Sequence, residues 1–234
     1  MKGLIKNLAM LVLLVPCTVL AATAYRLDSS PHDVRDLVSL QAGARTYVNY
    51  CLGCHGVQFM RYKGLGEFGL TEAQIKENLL FGAEKVGEPM KVALDPKEAK
   101  AWFGVAPPDL SVVARSRGAD WLYTYLRAFY RDPKTVTGWN NAVYANVAMP
   151  HALWTLQGEQ GWDPKEHRLT VISKGSMSPT EYDATARDLV NFLVYVGEPA
   201  AANRKTIGIV VLFVLGVVFI FAYLLKKEYW KDVK

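Results

Sequence analysis

The chain has 234 residues, of which 51% are hydrophobic and 21% charged, and its formal net charge is +5. This length is enough for one domain with a buried core, whereas three cysteines exclude a disulfide framework. Residues 25–206 hold 21 basic and 20 acidic residues, so the positive charge is concentrated at the chain ends and indicates no nucleic-acid partner.

The first 24 residues have the pattern of a secretory signal peptide. Two lysines precede an uncharged apolar run over residues 8–20, and Ala22-Thr23-Ala24 is a small-residue cleavage sequence. We predict that residues 1–24 are removed and that Tyr25 begins the mature protein. An uncleaved N-terminal anchor is the alternative.

A C-x-x-C-H string at residues 51–55 follows a segment with helical periodicity that begins near residue 32. In c-type haem attachment the two thiols add to the vinyl groups of a haem, and the adjacent imidazole binds the iron. A thioredoxin-like pair would follow a strand, and a zinc site would need two further ligands nearby. We therefore predict one covalently bound haem c, attached through Cys51 and Cys54, with His55 as an axial ligand of the iron. Thiol–disulfide chemistry at the same pair is the alternative.

Four more helices are predicted from capping residues and periodicity. Thr71 with Gln74 resembles a capping box, and Ser178-Pro179 with Glu181 is a second helix start. The predicted spans are 71–82, 95–104, 120–131 and 178–196. Loops containing proline and glycine separate them, and only residues 167–172 suggest a strand. The pattern predicts a mostly α domain with long loops.

The second axial ligand must come from another part of the chain. The candidates are Met60, Met90, Met149, Met177, His32, His151 and His167. Met149 precedes Pro150 in a loop where proline fixes the backbone, whereas Met60 lies too close to the attachment string. We predict that Met149 is the ligand, with His151 as the alternative. A methionine ligand suits electron transfer, and an open iron position suits ligand or oxygen chemistry.

Residues 207–225 are nineteen residues without a charge. As a helix with a rise of ~1.5 Å per residue, they nearly span the ~30 Å hydrocarbon core of a bilayer. Four lysines follow this run and two basic residues precede it, so the positive-inside rule places residues 226–234 in the cytoplasm. Residues 25–206 then lie outside the cytoplasm, where this type of haem attachment takes place.

Several segments resemble the cytochrome c1 family, the haem subunits of ubiquinol–cytochrome c reductases. They are YVNYCLGCH at 47–55, MRY at 60–62, AWFGVAPPDLS at 101–111, Met149-Pro150, and VNFLVYVGEP at 190–199 before the tail anchor. The resemblance implies a class I cytochrome c-like haem domain with long loop insertions and one C-terminal transmembrane helix. It supports Met149 as the sixth ligand and suggests that Arg117 binds a haem propionate.

The resemblance also implies one-electron transfer from a Rieske iron–sulfur protein to a soluble or membrane-bound cytochrome c, with no bond chemistry of the chain's own. The tail helix would pack beside cytochrome b in a dimeric complex of the bacterial inner membrane, with the haem domain in the periplasm. The disulfide of some bacterial members cannot form, so the corresponding loop must be held in another way. The alternatives are an independent membrane-anchored cytochrome c serving an oxidase, and a haem enzyme or gas sensor with an exchangeable sixth ligand.

Overall fold

The computed structural model describes residues 25–92 and 94–232, and about half of these residues are in helices. The helices are α1 (Leu37–Tyr50), a 3-10 helix (Tyr62–Phe68), α2 (Glu72–Asn78), α3 (Pro96–Phe103), α4 (Val113–Arg117), α5 (Ala119–Arg127), α6 (Trp154–Gln157), α7 (Pro179–Gly197) and α8 (Ala201–Tyr229). The strands are β1 (Val57–Arg61), β2 (Pro89–Met90), β3 (Phe129–Arg131), β4 (Trp139–Asn141), β5 (Gly158–Asp163) and β6 (Arg168–Lys174). The predicted signal peptide, residues 1–24, lies outside the described residues, as do the last two residues of the predicted tail.

Local sequence signals account for the helix starts. Thr71 and Ser178 each form a complete capping box, which satisfies backbone N–H groups that have no partner inside the helix. Asp95 caps α3 through the N–H groups of the second and third residues of that helix, and proline occupies its first position. Helix α3 ends at Phe103 and is capped by Gly104, whose φ of 78° lies in the left-handed region that glycine adopts most easily. The starts predicted from these signals are confirmed.

Two predicted helix ends are wrong. The helix expected over 120–131 ends at Arg127, because residues 129–131 form β3 and pair antiparallel with β4. The helix expected to reach residue 82 ends at Asn78. The suggested strand at 167–172 overlaps β6, which begins at Arg168 and forms an antiparallel hairpin with β5. Strand β1 pairs antiparallel with β2. The mostly α fold with long loops is confirmed.

The core forms where α1 crosses α7. Leu40, Ala44 and Tyr47 of α1 are fully buried, as are Val190 and Phe192 of α7. The ring of Tyr47 lies 5.3 Å from that of Phe192, between ring centroids. This crossing fixes the end of α1 that leads into the C-x-x-C-H string.

Helix α8 follows α7 after three residues and is long and apolar enough to cross a membrane. None of its described residues is buried against the rest of the chain. Its 29 residues extend beyond the predicted 207–225 at both ends. An exposed apolar helix of this length is typical of a transmembrane anchor, because in water its side chains would face solvent.

Candidate haem-binding site

A cavity of about 370 Å³ lies beside the C-x-x-C-H string. Helices α5 and α7 and the segment leading into α4 form much of its wall, with the aliphatic side chains of Leu110, Val113, Leu122, Leu126, Leu189 and Leu193. A second cavity, of about 120 Å³, shares Cys51, His55 and Met149 with the first and adds Cys54. Together they form an apolar recess with a few polar groups, as ligand and cofactor sites do.

The two cysteines of the string are free thiols at the carboxyl end of α1. Both line the second cavity. Burial, with a smaller contribution from Cys54, raises the pKa of the Cys51 thiol to about 12. Redox-active C-x-x-C pairs have the opposite property, a lowered pKa that supplies thiolate near neutral pH. Cys51 is therefore poorly suited to act as the attacking thiolate of thiol–disulfide exchange.

The imidazole of His55 is held in one orientation. Its Nδ1 lies 2.7 Å from the carbonyl oxygen of Pro108, which can only accept, so Nδ1 carries the hydrogen and Nε2 keeps a lone pair for a metal. Burial lowers the pKa of His55 and outweighs the Pro108 carbonyl and the Asp109 carboxylate, which act in the opposite direction. The neutral imidazole, which is the form that binds metals, is thus favoured.

Met149 lines both cavities. The hydroxyl of Tyr125 donates a hydrogen bond to its sulfur over 3.4 Å. A thioether sulfur has a second lone pair, which remains available to a metal ion. The structure therefore brings Cys51, His55 and Met149 to one recess.

Arg117 lies at the same cavity, with its guanidinium 5.2 Å from the ring centre of Trp121 and 5.8 Å from that of Tyr144. These aromatic contacts orient the cation without neutralising it. No carboxylate forms an ion pair with Arg117 in the part of the chain that the structure describes. A guanidinium in this position is free to bind a carboxylate of a cofactor bidentately.

Two adjacent asparagines organise the loop that leads to Met149. Asn140 donates to the carboxylate of Asp132 and accepts from the backbone N–H of Asn146. Asn141 donates to the carbonyl of Tyr125 and accepts from two N–H groups of the following turn. Both asparagines are buried, where lost hydrogen bonds are costly. They hold this loop without a disulfide, and sequence reasoning did not identify them.

His151, the rival ligand, points into an aromatic cluster and does not line either cavity. Its ring is stacked on Phe129, with 4.8 Å between ring centroids, and Trp139 meets it edge-on. Only 2% of its surface is exposed. Burial lowers the pKa of His151 to about 4, and Arg131 adds to the shift, whereas the side-chain amide oxygen of Gln157, which can only accept, opposes it.

We expect His151 to make the protein less stable as the pH falls from about 6.5 to about 4. In this range the unfolded chain binds a proton on His151 and the folded chain does not, so the free energy of unfolding decreases by up to ~1.4 kcal/mol per pH unit. Replacing His151 by Phe should remove this part of the pH dependence. Thermal unfolding of both proteins between pH 7.5 and 4.5 measures the difference, and parallel curves would contradict the prediction.

The remaining candidate ligands lie elsewhere. Met60 and Met90 belong to the core, and Met177 accepts a hydrogen bond from Thr185. His32 lies beside the carbonyl of Ser30, 3.2 Å away. His167 lines a larger, more polar cavity of about 700 Å³ near β6, which contains neither His55 nor Met149.

The donor set of the recess fits a c-type haem. It combines two free thiols, an imidazole with a fixed tautomer, a thioether, an uncompensated guanidinium and an aliphatic wall. Of the predicted site residues, Cys51, His55, Met149 and Arg117 line the larger cavity, and Cys54 lines the smaller one. Sequence reasoning missed Tyr125 and the carbonyl of Pro108. The proline pair before Asp109 is the sequence signal from which the role of the Pro108 carbonyl could have been predicted.

The chain is similar to known proteins over most of its length. A model of the Cytochrome C1 family matches residues 28–233. The chain is 46% identical over 238 residues to cytochrome c1 of Allochromatium vinosum, covering 97% of this chain and 98% of the relative. It is 48% identical over 231 residues to a Nitrosomonas europaea protein named ammonia monooxygenase gamma subunit, covering 98% and 99%. It is also 26% identical over 218 residues to a mitochondrial cytochrome c1 heme protein of Solanum tuberosum, covering 85% and 81%.

Proposed function

Because the chain belongs to the cytochrome c1 family, we propose that it passes single electrons from a Rieske iron–sulfur protein to a cytochrome c. It is a haem electron-transfer subunit of a cytochrome bc1 complex with one covalently bound haem c, and one helix among the described residues is long and apolar enough to span a membrane. The observation that carries the proposal is the meeting of Cys51, His55 and Met149 at one apolar recess.

The chain's own residues would attach and orient the cofactor. Haem c, when bound, supplies a one-electron Fe(III)/Fe(II) couple. Cys51 and Cys54 would hold it through thioether bonds, and His55 Nε2 and Met149 Sδ would be the axial ligands of the iron. The Pro108 carbonyl fixes the imidazole, because it accepts the hydrogen of Nδ1. Two permanent ligands would leave no position on the iron for a substrate, which suits electron transfer.

The walls of the recess would set the environment of the couple. Leu189 and Leu193 from α7, with Leu122 and Leu126 from α5, exclude water and lower the local dielectric. Arg117 would bind a haem propionate, since its guanidinium has no carboxylate partner among the described residues. Pairing with Arg117 would reduce the free-energy cost of placing the propionate carboxylate beside an apolar wall.

The position of the helices in the chain supports the proposed assembly. Helix α8 begins three residues after α7, so the haem domain is held close to the membrane surface. We propose that α8 packs beside cytochrome b in a dimeric complex of a bacterial inner membrane. The haem domain would face the periplasm and residues 226–234 the cytoplasm, because four lysines follow the apolar run. The predicted removal of residues 1–24 fits this orientation.

Purification of a tagged full-length chain in mild detergent tests the proposal. We expect cytochrome b and a Rieske protein in the same particle, and reduction of the c-type haem when ubiquinol is added. Oxidised cytochrome c should then reoxidise the haem. A particle that contains the chain alone, with a c-type spectrum, would instead indicate an independent membrane-anchored cytochrome c.

A haem enzyme or gas sensor is the alternative of a different class, and the name of the Nitrosomonas europaea relative makes it worth a direct test. Such a protein needs an exchangeable sixth position on the iron. Carbon monoxide binding to the reduced protein at neutral pH would favour this alternative. If Met149 occupies the position, carbon monoxide should leave the spectrum unchanged.

A further inference from the structure

The phenol of Tyr125 is in hydrogen-bond contact with the proposed thioether ligand. It lies on α5, and only 9% of its surface is exposed. Its hydroxyl donates to Met149 Sδ over 3.4 Å, a normal length for a bond to sulfur. We found no other hydrogen bond of this hydroxyl within residues 25–92 and 94–232.

Aromatic packing fixes the direction of this hydroxyl. The Tyr125 ring is stacked on Trp121, with centroids 4.7 Å apart and planes inclined by 12°. Phe129 meets the same ring edge-on at 5.1 Å. A ring packed on two sides has few accessible rotamers, so the hydroxyl stays directed at the sulfur.

The loop that carries Met149 is attached to the same helix end. The buried amide of Asn141 donates to the backbone carbonyl of Tyr125 over 2.8 Å. Strand β4, which ends at Asn141, pairs with β3 directly after α5. The hydroxyl donor lies on α5, and the sulfur acceptor lies on the loop that follows β4. These two segments are linked by the Asn141 hydrogen bond and by the pairing of β3 with β4.

From this geometry we infer that Tyr125 is a positioning residue, which orients the Met149 sulfur toward the iron and raises the redox potential of the haem. The inference rests on the proposed function, in which Met149 is an axial ligand. The donated hydrogen bond draws electron density from the sulfur, so Met149 gives less to the iron. The ferric state is electron-poor and depends more on donation from the sulfur, so it is destabilised more than the ferrous state. Reduction of the haem therefore becomes easier.

Replacing Tyr125 by Phe in the full-length haem-loaded chain tests the inference, because it removes only the hydroxyl. We expect the ratio of reduced to oxidised haem at a fixed ambient potential to fall about three- to tenfold. For one electron this is a fall of about 30 to 60 mV in midpoint potential, at ~59 mV per tenfold. The readout is a redox titration of the α-band, together with the long-wavelength band of ferric haem with a methionine ligand.

Tyr123→Phe is the matched control. Tyr123 lies on the same helix, is 7% exposed, and packs against the guanidinium of Arg127 at 4.5 Å. It does not line the haem recess. A general loss of a buried hydroxyl from α5 would affect both variants, whereas the inferred bond affects only Tyr125→Phe.

A third variant separates failure of this inference from failure of the proposed function. Met149→Leu should abolish the long-wavelength band and lower the potential strongly. If Met149→Leu leaves both unchanged, Met149 is not the ligand and the inference is overturned with that assignment. If Met149→Leu behaves as expected but Tyr125→Phe has the potential of Tyr123→Phe, or a higher one, the inference alone is overturned.

Discussion

Replacing Cys51 and Cys54 together by Ala is expected to reduce covalently bound haem from one per chain to none. Both thioether bonds depend on these sulfurs, and no other cysteine is present after residue 17. Neither sulfur is engaged in a disulfide that would compete for it. Each single variant should keep one thioether bond at most, and its pyridine haemochrome band should shift because one vinyl group stays unsaturated.

The measurement is a pyridine haemochrome assay on purified full-length protein, combined with extraction by acidified acetone. Cys17→Ala is the matched control, because this cysteine lies in the predicted signal peptide and should not affect haem content. Haem that remains attached to the double variant after extraction would contradict the assignment. Complete removal of the haem from the wild-type protein by acidified acetone would also contradict the assignment.

Loss of the haem should also affect packing beyond the attachment string. The recess is lined by Leu122 and Leu126 of α5 and by Leu189 and Leu193 of α7. Without the cofactor these side chains line a void, and their contacts are lost on one side. The cofactor is therefore part of the hydrophobic core, in addition to its redox role.

The sequence predicts the parts of this site that local chemistry specifies. The C-x-x-C-H string is a contiguous run of five residues, so its two thiols and its imidazole are recognised together. Met149 is indicated by the proline that follows it, which fixes the backbone. Helix starts at Thr71 and Ser178 are predicted because a cap is a contact among residues three positions apart.

The parts that were missed depend on residues that are distant in sequence. Strand β3 was read as the end of a helix, since its partner β4 begins eight residues after β3 ends. The bond between Tyr125 and Met149 spans 24 positions, and the bond between His55 and Pro108 spans 53. Asn141 gave no signal at all, because a buried asparagine and a turn asparagine look alike in sequence. Tertiary contacts thus decide how the predicted ligands are held.

Replacing Gly43 by Ala should destabilise the protein strongly, although alanine is the better helix former. In an open helix the substitution would stabilise by up to ~1 kcal/mol. At Gly43 an added Cβ would lie 2.0 Å from the backbone oxygen of Asp188 and 2.8 Å from Cβ of Phe192. These distances require α1 and α7 to move apart, at a cost of about 3 kcal/mol, and we expect the thermal transition to fall by roughly 10 °C.

Gly66→Ala is the matched control for this prediction, because its added Cβ meets no atom within 4 Å. The closest obstacle at Gly43 is a backbone oxygen, so trimming the neighbouring side chain with Phe192→Leu should not restore stability. The movement should reach the haem as well: one turn after Gly43, the Tyr47 hydroxyl donates to the carbonyl of His55 over 2.5 Å. We therefore expect Gly43→Ala to lower haem content along with the thermal transition. A Gly43→Ala protein as stable as the Gly66→Ala control would show that the two helices do not cross this closely.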